Sequence, residues 1–170
     1  MAIFDGDRLK SIMDERRLTL CVAESLTCGN IQAMVGAVSG ASSFFEGGMT
    51  AYSLRQKVAL LDVDEEHARE VNSVSERVAA EMARGVAARF GCDIGIGTTG
   101  YAEPYPDENV PAPYAYFAIW RRAADAAGGE VVSHRRVEGD GLGRVEMQHR
   151  LAEEALAALL SYLEKTPAAN

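Results

Sequence analysis

Three small groups of hydroxyl side chains stand at the ends of strand-like runs: Ser25 with Thr27, Tyr52 with Ser53, and Thr98 with Thr99. The first is the most suggestive. Residues 18–22 (LTLCV) favour a strand, residues 24–29 read as a small polar turn, and residues 31–38 have helical character. Such a junction gathers backbone N–H groups at a helix N-terminus, where an anion or oxyanion is favoured. Ser25 and Thr27 place two hydroxyls there, with the Glu24 carboxylate beside them. An ordinary βα connection whose Ser or Thr caps the helix has the same pattern, so spacing alone leaves both readings open.

A nucleophilic serine needs a base. Of the three histidines, His67 falls in a polar helical stretch, His134 in a late strand and His149 near a helix start. None adjoins a hydroxyl turn, so no Ser-His-Asp triad is evident, and His67 and His149 read as surface residues. Lys57 is the better candidate. It follows Tyr52 by five residues, so a strand end leading into a helical turn aims both into one crevice. A desolvated lysine of lowered pKa can accept a serine's proton. Cys21, Cys28 and Cys92 share no C-x-x-C spacing and indicate neither a zinc site nor a disulfide framework. Cys21 and Cys92 lie in apolar runs and read as core.

The elements expected to hold these groups alternate along the chain. A helix over 4–16, capped by Asp5 or Asp7, precedes the first strand, and a helix over 30–38 follows it. A second strand over 44–53 contains Gly47-Gly48, a signal of a bulge or close backbone approach. Short helical turns are expected from Lys57 to 61 and over 64–70, then a helix over 76–90 with Ser75 as N-cap. A buried strand at 92–97 runs into Thr98-Thr99-Gly100, and a loop rich in proline and acid spans 102–113. Strands at 114–121 and 130–137 pair through a Gly128-Gly129 turn. A glycine-rich turn at 138–144 leads to a closing helix over 148–164. The pattern predicts an α/β fold, a three-layer α/β/α sandwich with a mixed sheet, as a single domain over 1–170. Open sheets of this kind bind ligands outside the carboxyl ends of their strands.

Composition narrows the functional class. Apolar residues make up 48% and charged residues 25%, as in ordinary soluble domains. The formal net charge of -8 and pI near 4.9 disfavour nucleic-acid binding, and Arg121-Arg122 and Arg135-Arg136 are too short to form basic patches. No run reaches the ~20 apolar residues of a membrane span, and the acidic start MAIFDGDRLK is unlike a signal peptide. A cytoplasmic protein is expected, without membrane or nucleic-acid partners.

Several motifs together resemble the CinA C-terminal domain family, whose members include nicotinamide-mononucleotide deamidases. AESLTCG at 23–29 resembles the family's AESCTGG, and ASSFFEGG at 41–48 its GSS-x-[WF]-F-x-x-G stretch. TAYSLRQK at 50–57 resembles TYSNEAK, VSE at 74–76 is shared, and TGYAEP at 99–104 resembles SGIAGP. EGD at 138–140 resembles the GDR turn, and the similarity is collinear over roughly residues 5–163.

The resemblance implies an amidohydrolase that releases ammonia from the carboxamide of nicotinamide mononucleotide or a relative. Ser25 would be the nucleophile, Lys57 its base, and Tyr52 an orienting or relaying group. Thr27 and Gly29 would bind ligand or support an oxyanion, with Glu24, Thr99, Gly100 and Arg144 as further ligand-binding candidates. No metal or cofactor is implied. The partner would be a small pyridine nucleotide or related amide.

Departures from the motifs cluster around the pocket. Cys28 replaces a glycine, Leu54 an asparagine, Thr99 a serine and Glu103 a glycine, while Pro113-Tyr114 replaces Gly-Thr. The GDR arginine is absent at Gly141, where Arg144 would substitute. Added bulk and acid predict a weakened preference for a phosphorylated amide. The alternative is a catalytically weak or inactive homologue that acts as a small-ligand-binding or interaction protein. A homo-oligomer is also expected, from the resemblance and from Phe44, Phe45, Met49 and the aromatic run to Trp120.

Overall fold

The computed structural model describes residues 4–123 and 128–167. One sheet holds Leu20–Glu24 (β1), Phe45–Thr50 (β2), Ile94–Tyr101 (β3), Tyr114–Arg122 (β4) and Gly129–Glu138 (β5), in the order β2-β1-β3-β4-β5. β1 pairs in parallel with both β2 and β3, whereas β3–β4 and β4–β5 are antiparallel. The sheet is therefore mixed, as expected.

Among the described residues six α-helices cover it: Gly6–Arg16 (α1), Asn30–Gly36 (α2), Leu54–Leu61 (α3), Glu65–Glu70 (α4), Glu76–Phe90 (α5) and Arg144–Lys165 (α6). Side chains alternate across β1 and so feed two separate cores. Leu20 and Val22 join Leu9 of α1, Ile31 of α2 and Leu151, Leu156 and Leu159 of α6 on one face. Cys21 and Ala23 join Leu61 of α3, Ala68 of α4 and Val78, Met82 and Val86 of α5 on the other. Every residue of β1 is buried, as befits a central strand covered on both sides. The α5 backbone approaches β3 so closely that a Cβ on Gly97 would lie 2.2 Å from the Ala79 carbonyl oxygen.

Several element ends differ from the expectation. Helix α2 stops at Gly36, and β2 spans six residues, with its register shift at the Phe45–Gly47 step. Gly48 supplies the close approach: a Cβ there would meet Val22 at 2.5 Å. Helix α3 begins three residues before Lys57 because Ser53 caps it, accepting from the Gln56 N–H. Helix α6 begins at Arg144, where the N–H of Gly143 is met by Glu146 at 2.7 Å. Residues 124–127 of the expected Gly128-Gly129 turn lie outside the described residues, and Gly129 already pairs with Arg122. Of the residues behind the oligomer expectation, Phe44, Phe117, Ile119 and Trp120 are buried within the single chain, whereas Phe45, Met49, Tyr114 and Tyr116 are partly exposed.

Candidate active site

Ser25 leaves the carboxyl end of β1 between two clamps. Its N–H donates to the Thr98 carbonyl at 3.1 Å, and the Glu24 carbonyl accepts from the Ala51 N–H at 2.9 Å. Beyond this point the chain parts. The helix after β1 packs on one face of the sheet and the helix after β2 packs on the other. A crevice opens between them, at the place where α/β sheets bind ligands.

Lys57, in the first half of α3, reaches across that crevice. Its Nζ donates to Ser25 Oγ at 2.8 Å and to the Tyr52 carbonyl at 2.8 Å. Only 2% of Lys57 and 6% of Ser25 is exposed. Both acceptors are neutral, so no opposite charge compensates the desolvation of an ammonium, and burial lowers the Lys57 pKa to about 8. A buried serine with an adjacent amine that can be neutral near pH 8 is what an activated nucleophile requires.

The helix N-terminus is used differently from the expectation. The Glu24 carboxylate, fully buried, accepts from the N–H groups of Gly29 at 2.9 Å, Ile31 at 3.2 Å and Gln32 at 2.9 Å, and from Gln32 Nε2 at 3.3 Å. An anion does occupy the start of α2, and it is the protein's own. The Glu24 carboxylate and the Gly29 N–H are thereby engaged with each other in holding the turn. Thr27 is likewise turned inward, its hydroxyl 2.8 Å from that of Thr98. The Leu26 and Thr27 N–H groups, which follow Ser25 directly, find no acceptor among the described residues. Unpaired backbone N–H groups beside a serine are the kind of donor that an oxyanion would need.

A pocket of about 220 Å³ opens over this pair, lined by Ser25, Leu26, Lys57, Ser73, Thr99 and Gly100 among others. It adjoins an outer chamber of about 480 Å³ that includes Tyr101, Glu103, Tyr105 and Arg144. Leu26, Tyr52, Asn72, Gly100 and Tyr101 line both. Thr99 is held by its hydroxyl bond to the Ser73 carbonyl at 2.7 Å. Tyr52 stands at the mouth with 54% of its surface exposed; its hydroxyl accepts from Arg144 at 2.8 Å. Its contact with Lys57 is through the backbone carbonyl, not the phenol. A wider depression of about 700 Å³ near Phe4 and Val38 has carboxylates and Ser39 but no amine.

Some expected obstacles are elsewhere. Cys28 is exposed in a left-handed conformation (φ 53°), and neither it, Pro113 nor Tyr114 lines either chamber. The bulk at these positions therefore does not narrow the pocket. Leu54 and Glu103 do line it.

The part of the pocket wall between α4 and α5 was not legible in the sequence. Asn72 and Ser73 are both left-handed, with φ of 47° and 61°. Asn72 Nδ2 donates to the Tyr101 hydroxyl at 3.1 Å. Asn and Ser just before the Ser75 cap was the available signal, since Asn tolerates this conformation better than most residues. His67, expected as a plain surface residue, is half-buried with its Nε2 3.0 Å from Ser75 Oγ.

A three-layer α/β domain with a buried Ser–Lys pair at the carboxyl edge of its sheet is thus defined, and known proteins share the fold. The chain belongs to the CinA C-terminal domain family, whose model matches residues 6–163. A CinA-like protein of Picosynechococcus is 36% identical over 159 residues, covering 94% of this chain and 36% of that protein. A putative competence-damage inducible protein of Moorella thermoacetica is 44% identical over 120 residues, covering 68% of this chain and 29% of that protein. The chain thus spans about a third of the length of these curated relatives. The crystal structure of the competence damage-inducible protein A of Klebsiella pneumoniae superimposes with a TM-score of 0.83 at 27% identity, covering 95% and 96% of the two chains. A competence or damage-inducible protein of Enterobacter asburiae gives 0.84 at 27% identity, covering 93% and 95%.

Proposed function

We propose that the protein is an amidohydrolase that converts a carboxamide to a carboxylate and ammonia, with Ser25 as nucleophile and Lys57 as general base. The observation that carries this reading is the 2.8 Å contact between Lys57 Nζ and Ser25 Oγ inside a buried, carboxylate-free pocket.

The chemistry follows from the geometry. Neutral Lys57 takes the Ser25 proton as Oγ bonds to the amide carbon. The carbonyl oxygen becomes an oxyanion facing the Leu26 and Thr27 N–H groups. Lys57 then returns its proton to the amide nitrogen; the C–N bond breaks and ammonia leaves. The resulting ester is hydrolysed by a water whose proton passes to Lys57, releasing the carboxylic acid and restoring Ser25. Oxyanion donors of this kind are worth about 3–4 kcal/mol each in acyl transfer.

The lining of the outer chamber favours a pyridinium carboxamide, the group that nicotinamide riboside and its phosphate ester carry. Tyr101 and Tyr105, with ring centroids 5.9 Å apart, offer aromatic surface to a flat cationic ring. The Arg144 guanidinium and the Tyr52 hydroxyl, 2.8 Å apart at the chamber mouth, are the polar groups available to the substituent of such a ring.

The test is to quench turnover in acid and weigh the intact protein. An adduct of the acyl group, present in the native protein and lost in Ser25→Ala, is expected. A native protein that turns substrate over with no trace of adduct, while Ser25→Ala keeps full activity, would contradict the assignment.

A further inference from the structure

The outer chamber has a charge arrangement that the reaction itself does not require. Apart from Lys57, Arg144 is the cation of the combined lining, and Glu103 is its carboxylate. The two are paired: Arg144 Nη1 donates to Glu103 Oε1, while Nη2 donates to the Tyr52 hydroxyl at 2.8 Å. One guanidinium thus ties the start of α6 to the loop after β3 and to the turn after β2. Both of its outward amino groups already have acceptors.

We propose, resting on the amidohydrolase reading, that Glu103 is a specificity-determining residue: by occupying Arg144 at the pocket mouth it turns the outer chamber away from anionic amides and towards neutral or cationic ones. A phosphate bound beside Arg144 must either displace Glu103 from the guanidinium or lie next to its carboxylate. The first costs the existing ion pair and the second sets two anions side by side, so arginine's value as a phosphate ligand is partly cancelled. A hydroxyl in the same position needs only one hydrogen bond, which the Tyr52 phenol can share. A cationic ring gains from the nearby carboxylate and from the Tyr101 and Tyr105 faces.

The pair is about half exposed, with 44% of the Arg144 and 57% of the Glu103 side chain accessible, so water moderates the effect. Preference is therefore tuned rather than absolute. An increase of about tenfold in relative affinity for the anion, about 1.4 kcal/mol, is expected once the carboxylate is neutralised.

Nicotinamide riboside and its 5′-phosphate are the probes, because they share an amide and differ in the phosphate. Their dissociation constants are measured by calorimetry on full-length Ser25→Ala, which needs no turnover, and kcat/KM is measured on the native serine. Glu103→Gln is expected to shift both ratios about tenfold towards the phosphate ester. Adding Arg144→Gln should cancel that gain, and about 0.5 M salt should erode it, since the Debye length then falls below about 5 Å. An unchanged ratio in Glu103→Gln, or a gain that survives loss of Arg144, overturns the proposal. A shifted binding ratio in a protein that releases no ammonia would uphold the charge preference and remove the hydrolytic reading.

Discussion

Lys57 Nζ and Ser25 Oγ lie 2.8 Å apart although 32 residues separate them in the chain. The lysine donates in this arrangement, whereas the reaction needs it to accept. Below its pKa of about 8 Lys57 is charged and cannot take the serine's proton; above it the amine is neutral. With a neutral substrate, kcat/KM is expected to rise tenfold per pH unit below about 8 and to level off above it. A profile already flat from pH 5 to 9 would contradict a basic role for Lys57.

The same burial makes Lys57 a stability cost. Its folded pKa, about 8, lies below the ordinary value of 10.5, so the unfolded chain binds more protons between these values. Stability contributed by this group therefore rises with pH through about 8 to 10.5, and the full cost is present below 8. Lys57→Met is expected to abolish activity yet raise stability at pH 7 by up to about 3 kcal/mol, the bonds to Ser25 and Tyr52 offsetting part of it. Urea unfolding of the two proteins at pH 7 and pH 10 checks this: the difference should shrink at the higher pH.

Glu24 shows which parts of the site were legible in sequence and which were not. The strand–turn–helix around Ser25, the Lys57 partner and the mixed sheet follow from local pattern and from the family motifs. The return of the Glu24 carboxylate onto the N–H groups of Gly29, Ile31 and Gln32 depends on the turn's three-dimensional path, which no short-range pattern encodes. Arg144 was named from the family motif, but the start of its helix was not legible: the cap is Gly143, which has no side chain, and the helix expected over 148–164 begins at Arg144. The left-handed pair at Asn72 and Ser73 has residue types compatible with many loops, and only the fold makes it a pocket wall.

Because Glu24 satisfies three backbone donors in a fully buried position, its removal should be severe. Glu24→Ala is expected to destabilise the protein by about 2–4 kcal/mol, since the donors lose their acceptor and a cavity remains. The measurement is the urea midpoint, and a loss below about 1 kcal/mol would show that α2 is held by other means.

Ser73 provides the opposite case. It holds φ at 61°, a region costing L-residues about 1–2 kcal/mol, and its carbonyl anchors Thr99. Ser73→Gly should relieve that strain, raising stability by up to about 1 kcal/mol after the unfolded-state entropy of glycine is subtracted. Thermal unfolding decides it, and a lowered midpoint would mean that the serine hydroxyl, not the backbone, matters there.

The most direct measurement is ammonia release from pyridinium carboxamides, the riboside and its phosphate ester, by native protein, Ser25→Ala and Lys57→Ala. Native protein is expected to release ammonia equimolar with carboxylic acid, with a loss of about 10³-fold or more in each variant, because nucleophile and base act as a unit. No ammonia from the native protein with either amide, or an undiminished rate in Ser25→Ala, would contradict the amidohydrolase reading.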